Sequence, residues 1–72
     1  MDALHTASYA GNVGKMRLAL QAGVDVDSKD AGSGDTALMF ASAYGHAAAT
    51  HVLLEAGAAV DLKDNNGNTA LL

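Results

Sequence analysis

The sequence predicts an all-α solenoid, in which short helix-loop-helix units stack side by side and extended fingers join them. The first observation behind this is a repeat. Shifted by 34 residues, Ala3-Leu4 falls on Ala37-Leu38, Ala7-Ser8 on Ala41-Ser42, Gly11 on Gly45 and Ala22-Gly23 on Ala56-Gly57. Val26-Asp27 likewise falls on Val60-Asp61, and Lys29-Asp30 on Lys63-Asp64, so that twelve of 29 aligned positions are identical. Second, each period holds two stretches with apolar residues at helical spacing, separated by a glycine. Third, each period closes on a run rich in Asp, Asn, Ser and Gly. A fixed period in the thirties marks a stack of supersecondary units, each needing its neighbours to bury its apolar side.

Taken in order, the first unit has a helix over about 3–10, a break at Gly11, a helix over about 13–22 ending at Gly23, and a finger over 26–35. Thr36 opens the second unit as an N-cap, because its hydroxyl can accept from an unpaired first-turn amide. Ala37, Leu38 and Ala41 then share one helix face, and Gly45 breaks the pattern where the chain must turn. From His46 a further helix carries Ala49, Val52, Leu53 and Ala56 at i, i+3, i+4 and i+7 before Gly57 ends it. Residues 60–68 read as the second finger, since Asp, Asn and Gly bond locally and tolerate tight turns. Beyond it the spacing drops to 33: Gly34 matches Gly67, Thr36 matches Thr69, and Ala37-Leu38 matches Ala70-Leu71. The chain thus reads as one domain, 1–72, with a first unit at about 2–34, a second at 35–67 and the start of a third at 68–72.

Composition supports a thin, closely packed core. Half of the residues are apolar, but 16 are Ala and only three are aromatic. At 72 residues the chain is near the size where one core is marginal, and without Cys no disulfide can staple it. A net charge of −4, with Lys15, Arg17, Lys29 and Lys63 the only cations, argues against binding nucleic acid through its phosphates. No apolar run approaches the roughly 20 residues of a membrane span. The N-terminal MDALHT lacks the basic start and apolar stretch of a secretory signal, so an intracellular, cytoplasmic location is the default expectation.

These residues also resemble a known family. GDTALMFASAYGHAAATHVLLEAGAAVDLKDNNGNTAL is similar to an ankyrin repeat, whose signature is close to G-x-T-P-L-H-x-A-A-x-x-G-H…V-x-L-L-L-x-x-G-A-D-V-N. The matching positions include Thr36, Leu38, Ala41, Gly45, His46, Leu53, Leu54, Gly57 and Asp64 through Gly67. The resemblance implies β-hairpin-like fingers roughly perpendicular to the helical layers, and a protein-binding scaffold without catalytic chemistry. Ala37 and Ala70 stand where the motif has Pro, which removes a preset φ and restores a backbone N–H. Met39 stands where it has His, whereas His5 retains that residue. The first finger, DAGSGDT against DNNGNT, is one residue longer, and Ala31-Gly32-Ser33-Gly34 is expected to be its most mobile part.

Apparent chemical motifs dissolve on inspection. Gly32 to Ala37 matches G-x-G-x-x-A, but VDVDSKDA before it is too charged for the buried strand a dinucleotide site needs. Asp25, Asp27 and Asp30 resemble the start of a calcium loop, yet Asp30 and Thr36 occupy its obligatory Gly and Glu positions. His46 and His51 are five apart, about 140° around a helix, and cannot chelate one metal as an i, i+4 pair can. His46 is expected to start the second helix with local hydrogen bonds, His51 to be solvated, and His5 to bond backbone as the matching family His does. Ser8, Ser33 and Ser42 lack any elbow or triad context. No enzyme, cofactor or metal is expected.

What remains is recognition of a protein partner. The resemblance places Tyr9 and Tyr44, at the ends of the two first helices, toward a concave groove, where exposed Tyr is a favoured anchor. It places Lys29, Asp35, Lys63, Asn65, Asn66 and Asn68 at finger positions that vary among partner-contacting ankyrin proteins. The alternative is a structural N-terminal cap of a longer solenoid that binds elsewhere. Lys15 and Arg17, where the second unit has Ala49 and His51, are then expected on an exposed outer layer. At the other end, an uncovered C-terminal layer that includes parts of Val52 and Leu53 is expected to drive self-association.

Overall fold

The computed structural model describes residues 2–70 and holds four helices: α1 (Ala3–Ala10), α2 (Val13–Gln21), α3 (Ala37–Ala43) and α4 (Ala47–Glu55). No strand occurs among the described residues. Helix α1 packs on α2 and α3 on α4 within the two units, while α1 meets α3 and α2 meets α4 across the seam. Each unit is therefore a helix-loop-helix layer, as the repeat predicts. Leu71 and Leu72, on which the continuation of the third unit was expected, lie outside the described residues.

Local chemistry sets where the helices begin. The Asp2 carboxylate accepts from the His5 amide at 2.8 Å, and the Asn12 side chain from the Lys15 amide at 3.1 Å. Thr36 caps α3 by accepting from the Met39 amide at 3.4 Å, while the Met39 sulfur accepts from the Thr36 amide at the same distance. Methionine thus fills, through a weak sulfur acceptor, a reciprocal arrangement usually made by Glu or Gln. Gly11 leaves α1 with φ +72°, a left-handed conformation that costs other residues free energy. Its amide then closes the last turn on the Ala7 and Ser8 carbonyls.

The core is the seam itself. Leu4, Met16, Leu38 and Leu53 are fully enclosed, and Ala37, Ala41 and Ala49 between them let the helices approach closely. Ser8, buried among them, donates to the Leu4 carbonyl at 2.7 Å. Lys15 and Arg17 are exposed as expected, although Ala49, aligned with Lys15, is buried. Two expectations need correction. Ala56 is exposed because α4 stops at Glu55, and Ala58 packs into the core in its stead. Val52 and Leu53 are not partly uncovered: they are 7% and 0% exposed. Val52 lies beside Arg17 and Leu20 on α2, so its surface is spent within the stack. The residue left open at that end is Leu54, 45% exposed.

The fingers are tight turns rather than paired strands. In the first, the Asp30 amide donates to the Asp35 carbonyl and the Gly34 amide to the Asp30 carbonyl, both at 2.8 Å. The Asp30 carboxylate also accepts from the Gly32 and Ser33 amides at 3.1 Å. The segment expected to be loosest is therefore hydrogen-bonded at Gly32, Ser33 and Gly34. The second finger closes similarly, the Asp64 amide donating to the Asn68 carbonyl at 2.9 Å.

Candidate protein-binding surface

Tyr9 and Tyr44 occupy non-equivalent places in the repeat. Tyr44 aligns with Ala10, and Tyr9 with Ala43. One residue of offset is a rotation of about 100° on a helix, so Tyr9 leans toward the second unit and Tyr44 toward the first. Their ring centroids stand 4.4 Å apart with planes tilted by 57°. Each remains about half exposed, at 47% and 53%. The neighbouring Tyr9 phenol, and after it desolvation, raises the Tyr44 phenol above its ordinary value. The chain therefore displays a paired aromatic platform over the seam, where the sequence suggested two separate anchors.

Three of the finger residues hold the fingers to each other. The Lys29 ammonium donates to the Lys63 carbonyl at 3.0 Å. The Asn65 side chain donates to the Gly32 carbonyl at 3.1 Å and its amide to the Ser33 carbonyl at 3.0 Å. Gly34 is needed beneath it, since a Cβ there would collide with the Asn65 carboxamide. Lys29 and Asn65 thus spend their polar groups on the seam, while Lys63 contributes backbone and keeps an exposed side chain. Asn66 is exposed and apart from the rings, its amide donating to Asp64 at 2.8 Å.

Asp35 and Asn68 belong with Tyr44. A hollow of about 400 Å³ between α3 and the base of the second finger is lined by these three together with Met39, Phe40 and Asp64. Asp64 was legible only as part of a turn, because 29 residues separate it from Asp35 and no local spacing joins them. Burial, and then the hydrogen bond to Asp64, raises the Asp35 carboxyl above the usual carboxylate range. Asp64 is held below that range, chiefly by the Asn68 amide and also by that of Asn66.

The histidines divide as follows. His5 is buried, donates from Nε2 to the Ser28 carbonyl at 2.9 Å, and lies against Phe40 with ring centroids 5.6 Å apart and planes tilted by 54°. His51 is solvated and pairs with Glu55 on the outer side of α4. His46 departs from expectation: its side chain makes no local cap and instead reaches the Tyr9 carbonyl in the other unit, 2.9 Å away. Among the described residues no group of three or more His, Asp or Glu is placed to hold a metal ion, and no helix is long and apolar enough to cross a membrane.

The layered pairs, the glycine-closed helices and the acid-capped fingers coincide with a family model. Residues 2–72 match the one described as ankyrin repeats in three copies. The chain belongs to the ankyrin-repeat family. Ankyrin repeats are generally protein–protein interaction modules and typically carry no catalysis of their own. Within this ankyrin chain, Asp2 stands at the capping position of Thr36, and Met39 at that of His5. Both substitutions keep the corner bonded: a carboxylate in place of a hydroxyl, and a thioether in place of an imidazole.

Proposed function

We propose that this chain binds a protein partner on its finger side, with the Tyr9–Tyr44 platform at the centre, Asp35 and Asn68 beside it, and Asn66 on the second finger farther out. The Lys29, Lys63 and Asn65 seam fixes the spacing of the fingers from below. The observation that carries the reading is the half-exposed ring pair, since aromatic side chains present large area for few rotatable bonds. The opposite side offers Lys15, Arg17, His51 and Glu55 with the separate leucines Leu18 and Leu54, and no Tyr or Phe among the described residues. Both Tyr44→Ala and His51→Ala should remain folded by circular dichroism. Tyr44→Ala is expected to weaken partner binding at least about tenfold, whereas His51→Ala changes it little. A larger loss in His51→Ala would place the interface on the α2–α4 side and defeat the proposal.

A second reading has an observation of its own. Lys15 holds an exposed position where its counterpart Ala49 is buried, as suits the outer layer of a cap for a longer stack. Under that reading a partner captured by the longer protein is not captured by residues 1–72 alone.

A further inference from the structure

The finger side carries a hollow whose chemistry is more selective than a general interaction surface. Phe40, Met39 and Tyr44 form an apolar and aromatic wall, and Asp35 and Asp64 place two carboxylates at the same opening with Asn68 beside them. No basic side chain pairs with either acid among the described residues. The histidines approach other carboxylates, His5 that of Asp2 and His51 that of Glu55, the Lys29 ammonium is committed to the Lys63 carbonyl, and the Lys63 side chain is exposed. Asp64 is already oriented, because its Oδ1 accepts from the Asn66 and Asn68 amides at 2.8 and 2.9 Å. Phe40 is steadied from behind by the His5 ring.

Resting on the protein-binding reading above, we propose that this hollow receives an arginine side chain of the partner. A guanidinium is planar, donates in a fork that can bridge two carboxylates, and stacks on an aromatic face while its stem lies on apolar surface. Each of those needs has a counterpart here. Asp35 and Asp64 share a hydrogen bond in the free site, and a cation seated between them lets both carboxylates ionise. An ammonium satisfies the charge but neither the fork nor the stacking, so lysine is the weaker ligand.

The test uses N-acetyl-arginine amide as probe, titrated into the ¹⁵N-labelled full chain. The isosteric neutral citrulline amide, the lysine amide and calcium chloride are the comparison arms. Saturable shifts confined to the amides around Phe40, Tyr44 and Asn68 are expected, at least about fivefold tighter for arginine than for citrulline. Asp35→Asn is expected to remove that preference. Independently of any variant, the ¹³C titration of the Asp35 carboxyl should move to lower pH with arginine bound. Equal binding of citrulline, an unmoved Asp35 titration, or a calcium site there that arginine does not contest would overturn the proposal. The two readings fail separately. If arginine binds but Tyr44→Ala leaves partner affinity intact, the hollow stands and the finger-side interface falls. If Tyr44→Ala weakens the partner but arginine produces no shifts, the interface stands and the arginine site falls.

Discussion

The imidazole of His46 lies against Gly11 of the other unit, and its Nε2 donates to the Tyr9 carbonyl at 2.9 Å. That carbonyl belongs to the last turn of α1, where no intrahelical amide remains to satisfy it. One side chain therefore caps one repeat from the next, and does so at the backbone of Tyr9, whose ring pairs with that of Tyr44. Stacking and display are joined at this point: whatever shifts the seam also shifts the platform.

Gly11→Ala tests that junction. The new Cβ would lie 2.6 Å from the His46 Nδ1, and the residue would have to keep φ +72°. Backbone strain of this kind costs about 1–3 kcal/mol, and the displaced ring adds the loss of a hydrogen bond worth about 1 kcal/mol. The thermal midpoint should fall by roughly 4–8 °C per kcal/mol in a domain of this size. His46→Ala alone should cost less, and should make the Gly11→Ala penalty smaller in a double-mutant cycle. Strict additivity of the two changes would show that ring and glycine do not meet.

Thr36→Ala is expected to destabilise the chain by about 1 kcal/mol, the usual worth of an N-cap hydroxyl. Thr36 is enclosed at 1% exposure, so its loss also leaves the Met39 amide without an acceptor in the interior. Thr36→Ser, which keeps the hydroxyl, should recover most of that loss in chemical denaturation. A serine variant as weak as the alanine one would assign the stability to the methyl group instead.

The helices and their limits were legible because they rest on local rules: capping side chains, glycine breaks and 3.6-residue spacing. The repeat also identified the buried faces. What the repeat concealed was the offset between its units. Tyr9 and Tyr44 read as equivalent ends of equivalent helices, yet they meet because they are one residue out of register. The His46 contact spans 37 residues and the Asp35–Asp64 pairing 29, and neither has a local signature. Lys29 and Asn65 read as partner contacts because the family resemblance places them at finger positions that vary among partner-contacting ankyrin proteins. Here they bond the neighbouring finger.

The acids of the fingers should give opposite pH signatures. Asp30, chiefly through the Ser33 amide, and Asp64, chiefly through the Asn68 amide, are held below their ordinary values. Their contribution is complete above the usual Asp value of about 4 and is lost as pH falls through their folded values. Asp35 is raised by burial and by Asp64, so its contribution is present at lower pH and is lost as pH rises through the raised value. Urea midpoints should therefore fall at pH 7 for Asp30→Asn and rise for Asp35→Asn, with both differences fading in strong acid. A lowered midpoint for Asp35→Asn at pH 7 would mean that its charge is already compensated.

Leu53 and Leu54, adjacent in sequence, should separate folding from association. Leu53 is fully enclosed, and truncation to Ala is expected to cost about 2–5 kcal/mol, comparable to the whole stability of a small domain. Leu54 stands open beside a hollow of about 490 Å³ that includes Ala47, Thr50 and His51, on the face where another layer would stack. At about 25 cal/mol per Å² of apolar surface, covering a few hundred Å² there would contribute several kcal/mol, enough to favour self-association at high concentration. Leu54→Glu should leave the melting transition nearly unchanged while shifting the chain toward monomer in sedimentation equilibrium. Leu18, 65% exposed on the outer side of the first unit, is the control: Leu18→Glu should alter association less if copies meet through their C-terminal faces. A native chain that stays monomeric at high concentration and melts cooperatively well above room temperature would show that this face is stable in water uncovered.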